Sequence, residues 1–364
     1  MTTALAELLA RRIRQGGPVT LADYMAECLL HSEHGYYATR DPLGAAGDFI
    51  TAPEISQMFG ELLGLMLAQS WLDQGAPTPF TLAEPGPGRG TLMADIWRAT
   101  RAVPGFHAAA RVHLIEASPT LRAVQRARLE GVPVVWGDTL DDLPQAPLWL
   151  IANEFFDALP IRQFQRAGEG WRERVVGLQE GRLTLGLADP GAQPDLAHRL
   201  ADTNEGDIVE TCPAAAAAMK AIAARIGAHG GAAVIIDYGD WRSLGDTFQA
   251  MQGHRFADPF AEPGMADLTA HVDFQALARA APGLTASALT PQGVLLQRLG
   301  IEARAARLAL GLQGAAREQH LKATQRLTAP TEMGTLFKAL ALVAPGAPLP
   351  PGFDPALQRN DVIT

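Results

Sequence analysis

Apolar residues recur at helical spacing from the start of the chain. Leu5, Leu8, Leu9 and Ile13 fall on one face of a helix, which Gly16-Gly17-Pro18 ends. Thr20 reads as the next N-cap, ahead of amphipathic helices over 21–30 and 55–71. The stretch between them, 35–53, is studded with Gly and Pro and predicts neither helix nor strand. Residues 1–78 therefore read as a helical flank.

From Phe80 the period changes. Short apolar runs at 80–83, 111–115, 132–136 and 148–152 alternate with helical patterns at 91–101 and 118–129. Strands and helices in this rhythm predict an α/β fold with a mostly parallel sheet and right-handed crossovers. Over 162–206 the pattern becomes period-two runs punctuated by Gly168, Gly170, Gly177, Gly181 and Gly186, which predicts a β-meander insertion. A helix over 213–226 and an apolar strand over 232–236 resume the first rhythm. After an irregular stretch, 240–272, come helices at 274–281, 291–299 and 301–317 and a last strand at 337–343. The core is thus expected over 79–161 and 207–344, with a proline-rich tail at 345–364 that is frayed or draped.

Composition narrows the classes of function. With 48% hydrophobic and 19% charged residues the chain is globular, and no run approaches the roughly 20 apolar residues of a membrane span. A formal charge of -9 argues against a nucleic-acid partner. Cys28 and Cys212 lie far apart without metal-ligand spacing, so no zinc site and no disulfide framework is predicted. The N-terminus lacks the apolar core of a signal peptide, which points to the cytoplasm.

The candidate chemistry lies at the strand ends. Glu84-Pro85-Gly86-Pro87-Gly88-Arg89-Gly90 follows the first strand. No lysine closes it as in a phosphate-binding P-loop, and Thr91 stands where a dinucleotide fingerprint needs its third glycine. A tight loop of Gly86, Gly88 and Gly90 instead lets backbone approach the methionine portion and ribose of S-adenosylmethionine. Glu116, ending the second strand, suits the ribose hydroxyls, Asp138 the adenine amino group, and Glu84 the ligand's positive charge. Ligands of such sheets bind at the carboxyl ends of the strands, where all three acids fall.

After the fourth strand, Asn153-Glu154-Phe155-Phe156-Asp157 places two carboxylates and two aromatic rings where a transferable methyl group would lie. Asn153 is assigned to the cofactor side. Methyl transfer is an in-line displacement, so the protein chiefly positions a nucleophile and manages its proton. For an arginine acceptor, Glu154 and Asp157 would orient the guanidinium and Phe155 or Phe156 would give it a face to stack on. The same residues also read as a helix start, with Asn153 as cap and the acids in the first turn. Asp48 and Glu54, in a polar segment entering a helix near Pro53, and Tyr238, at a strand end, are further candidates for acceptor binding.

Taken together, Gly35-Tyr36-Tyr37, the segment 47–56, the glycine loop, the segment 153–160, Asp237-Tyr238-Gly239 and the segment 266–274 resemble the MidA family. The likeness runs from about Gly17 to Val343 and implies a class I, Rossmann-like methyltransferase fold with a seven-stranded sheet, S-adenosylmethionine as cofactor, and a protein substrate. The family's mitochondrial members are complex I assembly factors that methylate an arginine of a core subunit. Pro85 departs from the aliphatic residue more usual there, and the absence of a transit segment implies a bacterial member. Two readings of a different class remain: a non-catalytic assembly chaperone that keeps the cofactor as a structural ligand, and a nicotinamide oxidoreductase, against which Thr91 argues. Whether the chain forms a homodimer through the helices after Pro291 is left open by the sequence.

Overall fold

A computed structural model describes residues 3–39 and 51–356. They fall into two compact units: one holds residues 51–156, 217–239 and 277–356, the other 3–39, 157–216 and 240–276. Among the described residues no helix is long and apolar enough to cross a membrane.

The first unit is built on a sheet whose path we label in chain order. Its strands are β1 Phe80–Pro85, β2 Ala110–Ile115, β3 Val134–Gly137, β4 Leu148–Asn153, β5 Gly231–Asp240, β6 Thr285–Ala286 and β7 Phe337–Val343. They lie in the order β3-β2-β1-β4-β5-β7-β6. Neighbours from β3 to β5 are parallel, and β7 enters antiparallel between β5 and β6. This is the class I methyltransferase order, with the expected seven strands on the path and two further two-residue strands pairing off it, so that the sheet has nine strands among the described residues.

Strands buried on both faces need near-continuous apolar runs, and β1 and β4 are buried at every position. Trp71, Phe80, Phe106 and Trp149 form an aromatic cluster beneath them, with Trp149 donating its indole N–H to Ser70 Oγ at 3.1 Å. Burial of each such ring contributes about 2 to 3 kcal/mol.

β5 begins on Gly231, where φ is 114° and a Cβ would stand 1.9 Å from the carbonyl oxygen of Leu148 on β4. No side chain fits against that backbone atom. Gly231→Ala is therefore expected to destabilise the protein by about 3 kcal/mol or more, read as a lowered urea midpoint. An unchanged midpoint would mean that β5 can move away from β4 at no cost.

The second unit contains the insertion. Gly170–Gln179 lies at its centre, flanked by Arg162–Ala167 and Arg182–Leu187 as the meander predicts. Ile208–Thr211 pairs with Arg162–Ala167, so the inserted sheet runs past the boundary at 206 drawn from the sequence. Val19–Thr20 also joins it, beside Val175 and Val176. The helices Ala4–Gly16 and Leu21–Leu30 belong to this unit, the second capped by Thr20 Oγ1 accepting from Asp23 N–H at 3.0 Å. The flank 1–78 thus divides between the units, because the helix Gln57–Asp73 packs its apolar residues into the core of the first unit's sheet. The irregular stretch after 240 contains a small sheet of Gln249–Gln252, Arg255–Ala257 and Asp267–Thr269.

Candidate active site

β1 carries Glu84 into the interior, where the side chain is 3% exposed. Its carboxyl accepts the Met93 amide, and Oε2 has no hydrogen-bond partner among the described residues. Burial pushes its pKa up to about 8, opposed only by that amide. The chain then turns through Gly86, Gly88 and Gly90, with φ of 60°, 54° and 77°. Side chains rarely adopt these angles, so the loop presents bare backbone. Gly86 N–H donates to Ile115 O at 2.9 Å, which ties the loop to the end of β2. A Cβ on Gly86 would lie 2.8 Å from Phe155 Cδ2. The Phe155 ring therefore packs on the glycine loop.

At the end of β2, Glu116 is half-buried. Its Oε1 accepts Ser118 N–H at 2.8 Å and its Oε2 accepts Gln125 Nε2 at 3.2 Å. Burial raises its pKa, and these two donors partly offset the rise. Asp138, past the end of β3, is exposed, and its Oδ1 accepts Arg122 Nη2 at 2.6 Å. Sequence reasoning assigned nothing to Arg122 or Gln125, both on the helix Pro119–Arg128.

No helix follows Asn153, which excludes the capping reading: bends and turns occupy 154–159. The Phe156 amide donates to Asp237 Oδ2 at 3.0 Å, a tertiary bond where a helix would turn inward. Glu154 has φ of 51°, a left-handed conformation uncommon outside glycine and costing about 1 to 2 kcal/mol. Strain of this kind clusters at functional sites. Glu154 Oε1 accepts Ala52 N–H and Asn153 Nδ2, each at 3.0 Å, while Asn153 Oδ1 has no hydrogen-bond partner among the described residues.

Two residues beyond Ala52, Glu54 accepts the Thr91 hydroxyl through Oε1. The short helix Ala52–Ile55 thus touches both Glu154 and the first residue of the helix behind the glycine loop. Asp48 lies outside the described residues. Tyr238 is buried, with its ring edge-on to Phe337 at 5.5 Å.

The structure therefore gathers Glu54, Asn153, Glu154 and Phe155 around the loop of Gly86, Gly88 and Gly90, with Glu84 beneath it and Glu116 beside it. Asp157 falls in the second unit, where its carbonyl accepts Ala270 N–H at 3.0 Å. There Tyr37 donates to Asp267 Oδ1 at 2.8 Å, and its pKa is raised by burial first, then by Asp267 and Asp157.

These residues fit S-adenosylmethionine. Glu84 Oε2 is a buried oxygen suited to a cation, Asn153 Oδ1 is a second buried acceptor, the loop offers bare amides, and Glu116 offers a held carboxylate for a diol.

Comparison with known proteins agrees with that ligand. Residues 62–292 match the family model described as "Putative S-adenosyl-L-methionine-dependent methyltransferase". The Homo sapiens "Protein arginine methyltransferase NDUFAF7, mitochondrial" is 38% identical over 371 residues, covering 94% of this chain and 83% of that protein. Its Drosophila melanogaster homologue is 35% identical over 370 residues, covering 93% and 84%. A crystal structure from Burkholderia thailandensis with S-adenosyl-homocysteine bound superposes with a TM-score of 0.81 at 31% identity, covering 97% of this chain and 93% of that chain.

Proposed function

The chain belongs to the S-adenosyl-L-methionine-dependent methyltransferase family that its matched model describes, and from that membership we propose that it methylates an arginine side chain of a protein. The observation that carries the proposal is Glu154. It is a carboxylate on strained backbone at the carboxyl end of β4, fixed by two amide donors, and the ring of the next residue lies on the glycine loop. The names of relatives covering more than nine-tenths of the chain point the same way.

S-adenosylmethionine, when bound, supplies an electrophilic methyl carbon that an in-line nucleophile can attack. The chain's own part is to bind, orient and exclude water. Glu84, Asn153 and the loop amides would hold the amino-acid end, and Glu116 the ribose. Asp138 would reach the adenine only if it exchanged its ion pair with Arg122. Glu154 would accept guanidinium N–H groups, orient the fork and concentrate positive charge on the nitrogens not attacked. Phe155 packs against the loop, so it shapes the mouth of the site rather than standing apart as a stacking platform. Asp157 enters as the second carboxylate of the motif on sequence grounds.

Incubating the protein with methyl-labelled S-adenosylmethionine and lysate from cells lacking it, then digesting and analysing by mass spectrometry, tests the acceptor. Methylarginine on a discrete protein is the expected result. Label on a small molecule, on lysine or nowhere would overturn the arginine reading. Calorimetry with S-adenosylhomocysteine in the same preparation shows whether the cofactor site was intact.

A further inference from the structure

The helix Pro119–Arg128 presents Leu121, Gln125 and then Leu129 to the interior, so one polar side chain stands in an apolar stripe with no exposed surface. A buried amide needs partners at both ends, or it costs about 1 to 3 kcal/mol. Gln125 has them all. Its Oε1 accepts the Trp136 indole N–H at 2.8 Å, and its Nε2 donates to Gly88 O at 2.7 Å and to Glu116 Oε2 at 3.2 Å. Because an indole N–H can only donate, Trp136 fixes which end of the amide is oxygen, and the two amide hydrogens must face the loop carbonyl and the carboxylate. Trp136 is in turn covered by Arg126, whose guanidinium sits 4.9 Å from the ring centroid.

We infer that Gln125 is a positioning residue for the cofactor's adenosine: by bonding the glycine loop and the Glu116 carboxylate together, it sets where that carboxylate meets the ribose hydroxyls. The inference rests on the reading of Glu116 as the ribose acid. One turn earlier on the helix, Arg122 donates Nε to Glu116 O at 2.6 Å and Nη2 to Gly137 O at 2.8 Å, fixing the backbone of that residue. Backbone and carboxylate are therefore held separately, by Arg122 and by Gln125. Held by Ser118 N–H on Oε1 and by Gln125 on Oε2, the carboxylate cannot rotate freely.

A filler side chain and a positioning one differ in what they do to ribose recognition. Calorimetry on the full chain compares S-adenosylhomocysteine with its 2′-deoxy analogue. The wild type is expected to favour the ribose ligand roughly tenfold or more, the loss of one charge-assisted hydrogen bond. Gln125→Leu, which keeps the volume but frees both Gly88 and Glu116, is expected to weaken the ribose ligand more than the deoxy ligand and to bring the ratio to within about threefold of parity. Trp136→Phe removes only the donor that orients the amide and should give an intermediate ratio, so the idea stays testable if Gln125→Leu folds poorly. Equal weakening of both ligands in Gln125→Leu, with the ratio kept, would make Gln125 merely structural. Glu116→Ala serves as the reference: loss of the ratio there confirms the ribose acid, and retention removes that reading and the inference with it.

Discussion

Glu154→Gln is expected to slow methyl transfer by roughly 10²- to 10³-fold while S-adenosylhomocysteine binds within a few-fold of wild type. The substitution keeps the shape and leaves an oxygen to accept the Ala52 and Asn153 donors, but removes the negative charge. If that charge meets a guanidinium, turnover falls and cofactor affinity does not, because the glutamine oxygen still accepts the Ala52 and Asn153 donors and so leaves Asn153 in place. Glu154→Gly separates chemistry from folding. It removes the carboxylate and also relieves the left-handed backbone, φ 51°, so the melting temperature should stay within a few degrees while activity is as low as in Glu154→Gln. Label incorporation into the acceptor protein is the measurement, and wild-type incorporation by Glu154→Gln would remove Glu154 from the chemistry.

The sheet was legible because strands buried on both faces must be continuously apolar. β7 over 337–343 and the sequence strand at 148–152 agree with the structure to within a residue. The pattern failed where two helices share one apolar period. Residues 301–317 read as a single helix, yet the structure has Ile301–Ala309 and Gly314–Thr328, with Gly314 at a φ of 52° breaking the run. The three short strands after 240 were illegible, being only three or four residues long with no clear alternation.

At the site, the acids were readable because they end strands, and in such sheets ligands gather there. The supporting residues were not. Arg122 and Gln125 act through the helix face that meets the loop, and that depends on packing rather than spacing. One signal was available for Gln125: the i, i+4, i+8 series of Leu121, Gln125 and Leu129 places an amide in an apolar stripe. Glu154 illustrates the opposite limit. Its left-handed backbone is imposed by tertiary bonds, among them its own N–H to Ile236 O at 2.9 Å, and no local pattern announces it.

Glu84→Gln is expected to make the protein more stable at pH 8 and a poorer binder of its cofactor. The carboxyl of Glu84 is buried, one oxygen lacks a partner among the described residues, and its pKa is raised from 4.5 to about 8 in the folded protein. An acid raised in this way binds its proton more tightly folded than unfolded. Its contribution is fully present below about pH 4.5 and is lost as pH rises through about 8, amounting to roughly 5 kcal/mol over that window. Glutamine, neutral at every pH, escapes the loss, so its melting temperature should exceed that of wild type most clearly at pH 8. The ligand reverses the preference. A bound ammonium favours the carboxylate, so below pH 8 binding must expel a proton. Affinity of the wild type for S-adenosylhomocysteine should then rise by up to about tenfold per pH unit between pH 6 and 8 and level off above. Calorimetry at pH 7 in two buffers of different ionisation enthalpy should register close to one proton released. Glu84→Gln should release none, bind with little dependence on pH, and bind most weakly relative to wild type at pH 8. A wild type that binds equally well at pH 6 and 8 without proton release would mean that Glu84 is already ionised in the free protein, and that donors beyond the Met93 amide offset its burial.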